Sequence, residues 1–205
     1  SISHRLYKEK DAMEQYLSKK TNDLFDLHDR IILYDLTNTY FEGKKLRSKK
    51  AKRGRSKEKR NDAKIVVLAA VVNPEGFLKY TDIFEGNMSD STSLLLIIDK
   101  LRLQTSGTSS RCIVVMDAGI ATDKNCRMLK AKGYDYICVS RSRLKNYKRD
   151  AGEKTITITD KKDQPIELTR VIVGKNPDYY LRVKSYAKQA KENSMKSLFA
   201  QRFET

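Results

Sequence analysis

Hydrophobic and polar positions follow three regimes along this chain. Between Ser3 and Lys20, Leu6, Met13, Tyr16 and Leu17 recur on one helical face among charges, which predicts an amphipathic helix. Asn22 to Arg30 is a polar connector. Long apolar runs follow: Ile31 to Phe41 and Ile65 to Val72 predict strands, the second apolar at every position and therefore expected to be buried on both faces. The turn signal Asn73-Pro74-Glu75-Gly76 predicts that Phe77 to Phe84 returns as a hairpin strand. Ser89 or Asp90 is placed to cap a helix carrying Leu94, Leu95, Ile97, Ile98 and Leu101. Cys112 to Asp117 is the next strand. Thr122 can cap a helix bearing Cys126, Met128 and Leu129, with Gly133 as its stop, and Tyr136 to Ser140 is a fifth strand.

Beyond Arg141 the pattern shortens. Thr155 to Thr159 alternates, as do parts of Ile166 to Val173 and Tyr179 to Val183, with turns at Asp163-Gln164-Pro165 and Lys175-Asn176-Pro177-Asp178. Ala187 to Phe203 reads as a basic helix. These regimes divide the chain into a helical segment over 1–30, a core over 31–145 and a β-rich part over 146–205. A hairpin followed by right-handed crossovers predicts an α/β fold, a mixed sheet flanked by helices.

Composition narrows the function. No apolar run approaches the roughly 20 residues that span a bilayer, so no membrane partner is expected. The first residues lack an initiator Met and a secretory signal, and the chain is expected to begin inside a longer reading frame. Cys112, Cys126 and Cys138 are odd in number and far apart, and His4 and His28 are isolated. No zinc spacing results, and the thiols read as reduced core residues. The net charge of +16 fits a polyanion, and it is concentrated: Lys44 to Lys64 holds twelve Lys or Arg against Glu58 and Asp62. Within it Lys49, Lys50, Lys52, Arg53, Arg55, Lys57 and Arg60 are candidate contacts to a nucleic acid backbone, although such a run is also what a solvated loop looks like.

Two aspartates interrupt or end apolar strands. Asp35 shares the two-residue period of Ile31 and Leu33, and is expected to point where those neighbours are buried. Asp117 ends Cys112 to Met116 and precedes Ala118-Gly119, at the carboxyl end of a strand where open α/β sheets place ligands. A carboxylate is costly to desolvate unless it is paired or bound to a cation. If the two strands are adjacent, both carboxylates could share a divalent cation, with Mg²⁺ favouring oxygen ligands and retained waters. Asp before Ala-Gly is equally an ordinary turn residue, and Asp35 a hydrogen-bonded structural group.

The segments Tyr34 to Glu42, Glu85 to Ser91 and Val115 to Asn125 resemble, in order, those of bacterial insertion-sequence transposases of the DDE type, with a ribonuclease H-like core and a β-strand insertion before the last acid. The resemblance implies that Asp35 and Asp117 are the first two catalytic acids, binding Mg²⁺ or Mn²⁺, and that Gly86, Asn87 and Asp90 lie beside them. It implies cleavage of transposon ends and their joining to target DNA, by a homodimer in a synaptic complex in the bacterial cytoplasm at the nucleoid. The family's third acid is a Glu on a helix after the insertion. Glu192 and Glu204 are the helix-borne candidates, and neither has the family's surrounding pattern. The third acid is therefore expected downstream of Thr205, and the 205-residue chain is expected to bind DNA weakly and catalyse nothing. A related metal-dependent nuclease and a non-catalytic nucleic-acid-binding module are the alternatives.

Overall fold

A computed structural model of the chain describes residues 2–54, 62–104, 111–140, 144, 146–150, 152–174 and 178–203. It divides into two compact units, Ser1–Arg141 and Ser142–Thr205. The first holds α1 (Ile2–Lys8), α2 (Lys10–Phe25), β1 (Ile31–Phe41), β2 (Lys64–Val72), β3 (Leu78–Glu85), α3 (Asp90–Gln104), β4 (Ile113–Met116), α4 (Asp123–Ala131) and β5 (Asp135–Cys138). The helix expected over Ser3 to Lys20 is thus broken at Glu9 and runs on to Phe25.

The sheet has the order β3-β2-β1-β4-β5. β1, β2 and β3 are antiparallel neighbours, whereas β4 and β5 run parallel to β1. β2 and β3 are joined by a short turn, β1 and β2 by the long basic segment, and each parallel step needs a crossover, which α3 and α4 supply. This hairpin-then-crossover sheet with central β1 is the ribonuclease H-like arrangement that the resemblance implied.

One sheet face carries the core. Ile32, Tyr34 and Leu36 of β1, Val67, Ala69 and Val71 of β2, and Val114 and Met116 of β4 pack with Leu94, Ile97, Ile98 and Leu101 of α3. β2 is not buried on both faces as its composition suggested: Ile65, Val67, Ala69 and Val71 are buried and the intervening residues half-buried. Asp35 also lies opposite to expectation. Ile31 is half-buried, Leu33 is 37% exposed and Asp35 is exposed, while the alternate residues Ile32, Tyr34 and Leu36 form the core. Apolar residues fill four successive positions from Ile31 to Tyr34, so periodicity leaves the face open and the docking of α3 decides it.

The N-terminal helices are fastened to β3. Lys10 Nζ bonds Glu14 at 3.0 Å and the Thr81 carbonyl at 2.6 Å, and Glu14 accepts from the Thr81 N–H at 3.2 Å. Deeper, Lys79 pairs with Asp29 at 2.7 Å, both side chains at most 3% exposed. Asn22 bonds both partners, accepting from Lys79 Nζ at 2.6 Å and donating to Asp29 at 2.9 Å. A register shift between Val71 and Val72 turns Lys79 inward beside Tyr80.

The second unit contains β6 (Lys148–Arg149), β7 (Ile156–Thr159), β8 (Pro165–Ile172), β9 (Tyr180–Ser185) and α5 (Tyr186–Phe203). β8 is central and antiparallel to the other three. Arg170 bonds Glu153 at 2.7 Å and its guanidinium lies 4.2 Å from the Tyr179 ring centre, so that ring is engaged by a cation.

Candidate functional site

Asp35 and Asp117 come from neighbouring parallel strands. The β1–β4 register ends at Tyr34 opposite Met116, and each aspartate is the next residue. Tyr34 and Met116 are buried and Asp35 and Asp117 exposed; Asp35 stands on the face of β1 away from the core, whereas Asp117 follows the end of β4, next to Asp90 at the start of α3. Adjacent strands lie about 4.8 Å apart. β4 ends at Met116 while β1 runs on to Phe41, so Asp117 stands at the carboxyl end of β4 and Asp35 within β1, at the same level of the sheet.

Local backbone orients each carboxyl. Asp35 Oδ1 accepts from the Leu36 N–H at 2.8 Å. Asp117 Oδ1 accepts from the Ile120 N–H at 3.1 Å, and the Asp117 carbonyl accepts from Ala121 at 3.1 Å, which closes a tight turn through Ala118 and Gly119. A Cβ on Gly119 would stand 3.1 Å from Asp117 Oδ1 and 3.3 Å from Asp90 Oδ2. The turn therefore leaves open a space that a side chain would fill, between two carboxyls.

The first turn of α3 is braced beneath both strands. The Tyr34 hydroxyl donates to Ser93 Oγ at 2.8 Å, and Ser93 Oγ donates to the Asp90 carbonyl at 2.7 Å. Burial lifts the Tyr34 hydroxyl far above its usual range against the Ser93 bond, with Asp90 and Asp35 adding to the rise. On the other side Asn125, fully buried at the start of α4, donates to the Ser91 carbonyl at 2.8 Å and the Ile120 carbonyl at 2.7 Å. Thr122 caps α4 as expected, accepting from the Asn125 N–H at 3.2 Å. No local pattern singles out Tyr34, Ser93 or Asn125, because a polar residue three positions after a cap reads as surface.

These groups suit a divalent cation in part. Two exposed oxygen donors on adjacent strands, beside a side-chain-free turn, match the hard-ligand preference of Mg²⁺ or Mn²⁺ and leave room for water or phosphate oxygens. Asp35 and Asp117 are the residues that would hold it. Among the described residues, no three His, Cys, Asp or Glu side chains are grouped to hold a metal ion.

The basic segment is anchored at its start. Lys52 and Ile65 exchange backbone hydrogen bonds at 3.1 and 2.8 Å, the Gly86 N–H donates to the Lys50 carbonyl at 3.1 Å, and Ala51 is buried. Gly54 and Gly86 make this approach fit: a Cβ on Gly86 would lie 2.1 Å from the Ile65 carbonyl oxygen and 2.6 Å from that of Lys52. Lys50 turns its ammonium to the Ile83 carbonyl, whereas Lys49, Lys52 and Arg53 are exposed. Arg55, Lys57 and Arg60 lie outside the described residues, as does Glu204. Glu192 lies on α5, 4.0 Å from Lys188.

The sequence model of the family described as "Transposase DDE domain" matches residues 26–198. No curated protein sequence matches significantly. Among solved structures, the Mos1 mariner paired end complex with Mn is similar over 60% of this chain and 40% of its own, at 13% identity and a TM-score of 0.37. A piggyBac transposase synaptic complex with hairpin DNA is similar over 90% of this chain and 40% of its own, at 13% identity and a TM-score of 0.34. The chain thus spans 40% of the length of each of these two structures.

Proposed function

Because this chain belongs to the transposase DDE domain family, with 26–198 inside the matched region, we propose that it is part of a DNA transposase in which Asp35 and Asp117 are the first two metal-binding acids. The reaction class is phosphoryl transfer: hydrolysis of a phosphodiester at an element end, then attack of the freed 3′-hydroxyl on a target phosphodiester. The observation that supports the assignment is the parallel β1–β4 register, whose last pair, Tyr34 and Met116, is followed on each strand by one of the two acids. A divalent cation bound there, Mg²⁺ or Mn²⁺, supplies Lewis-acid polarisation of a phosphoryl oxygen and lowers the pKa of an attacking water.

The chain's own residues hold and orient. Asp35 and Asp117 present oxygen donors whose directions are set by the Leu36 and Ile120 N–H groups. Gly119 keeps the approach between Asp117 and Asp90 free of a side chain. A third oxygen ligand, the third acid that the family resemblance implies, would complete the set.

DNA is the proposed partner, with two copies of the protein holding two ends. Lys49, Lys52 and Arg53, with Arg55, Lys57 and Arg60 of the same run, would contact phosphates and carry no sequence information. Lys50 contributes to the anchor through Ile83 instead. No helix among the described residues is long and apolar enough to cross a membrane. Action on chromosomal DNA would put the protein at the bacterial nucleoid.

The test is DNA cleavage and end joining by the product of the whole reading frame, wild type against Asp35→Asn and Asp117→Asn. Metal-dependent cleavage that both substitutions reduce to background is the expected result. Cleavage retained by either variant overturns the assignment.

A further inference from the structure

We propose that Asn125 is a positioning residue for the Asp117 carboxyl; this rests on the reading of Asp117 as a metal ligand. Asn125 has no exposed surface and spends both amide hydrogens on backbone carbonyls, those of Ile120 at 2.7 Å and Ser91 at 2.8 Å. Ile120 is the residue whose N–H bonds Asp117 Oδ1. Ser91 follows Asp90, the residue facing Asp117 across the Gly119 gap. One side chain therefore fixes both walls of that gap: the turn that aims Asp117 and the helix start that carries Asp90.

The choice of residue supports a role beyond packing. Asn125 Oδ1 is buried and meets no hydrogen-bond donor among the described residues, an arrangement that costs stability. A leucine, which keeps the branching at Cγ, removes that cost but releases both carbonyls. Asparagine is what the geometry needs if the two carbonyls must be held, and it is a poor choice if the site only needs to be filled.

The experiment is a Mn²⁺ titration of the chain, read by the free-ion paramagnetic resonance signal, together with thermal unfolding and amide hydrogen exchange at Ile120. Variants are Asn125→Leu, Asn125→Ala and, as the control on the underlying reading, Asp117→Asn. The expected result is a loss of Mn²⁺ affinity of about 10- to 100-fold in Asn125→Leu, the range for groups that orient a metal ligand. Exchange at Ile120 accelerates while unfolding remains cooperative, and Asn125→Ala follows the same pattern. Wild-type affinity in both Asn125 variants, with Asp117→Asn still abolishing binding, overturns the positioning role and leaves the metal site standing. If Asp117→Asn binds Mn²⁺ like wild type, the metal reading falls and this inference with it. Loss of cooperative folding in both Asn125 variants makes the residue a determinant of the fold and equally overturns the proposal.

Discussion

Asp35 and Asp117 each follow one member of the last register pair between β1 and β4, Tyr34 and Met116, and both are exposed. Parallel pairing brings two residues 82 positions apart in sequence to one level of the sheet. The turn after Asp117 then matters as much as the strands, because it decides whether anything can approach the pair.

Gly119→Ala is the direct probe of that turn. The added methyl stands 3.1 Å from Asp117 Oδ1 and 3.3 Å from Asp90 Oδ2, and it must displace one of them. Mn²⁺ affinity is expected to fall roughly tenfold. The unfolding temperature should hardly change, because Gly119 has no left-handed backbone conformation to lose. Unaltered affinity would show that the gap is not the approach to the acids.

Lys79→Met should be severe. It leaves the Asp29 carboxyl, 3% exposed, with the Asn22 amide as its remaining side-chain partner among the described residues. Removing one member of a buried pair costs about 3–5 kcal/mol. Lys79→Met with Asp29→Leu should recover much of the loss, since both buried charges are then gone. Denaturant unfolding of the three chains decides the point, and a single variant as stable as wild type would contradict the described network.

Gly86→Ala should release the basic segment. Its Cβ would overlap the carbonyl oxygens of Ile65 and Lys52, which hold the segment's start against β2. The expectation is faster proteolysis between Lys44 and Lys64 and weaker binding to duplex DNA, with a cost of about 1–3 kcal/mol. Unchanged cleavage of that segment would argue that the anchor contributes nothing.

Cys112 gives a pH dependence. Burial pushes its thiol up to about 11 from an ordinary 9.0, with the Asp29 charge adding to the rise. The folded state therefore holds the proton more tightly than the unfolded chain. The associated stability is complete below about pH 9 and is lost as pH rises towards 11. Cys112→Ala should flatten that alkaline decline. At pH 8, iodoacetamide should modify Cys112 more slowly than the half-buried Cys126 and Cys138.

Much of the first unit is legible in the sequence because its elements are locally consistent. The Asn73-Gly76 turn, the Thr122 cap and the apolar runs each point to the element that forms. The pair Asp35 and Asp117 was visible as charge interrupting apolar strands. What stayed hidden depends on contacts between distant segments. The face on which Asp35 stands was unreadable because Ile31 to Tyr34 is apolar throughout, and only the docking of α3 chooses between faces. Lys79 is a lysine within a hairpin strand, and only the register shift turns it towards Asp29. Asn125 and the Gly54–Gly86 approach act through backbone atoms 34 and 32 residues away, which no local pattern announces.

The most direct test of the central claim is Mn²⁺ binding to the chain, measured in wild type, Asp35→Asn and Asp117→Asn under conditions where all three unfold cooperatively. If the two carboxyls share one cation, wild type binds it and each single substitution lowers affinity at least tenfold. Equal binding in all three chains would contradict the claim that the β1–β4 pairing builds a metal site.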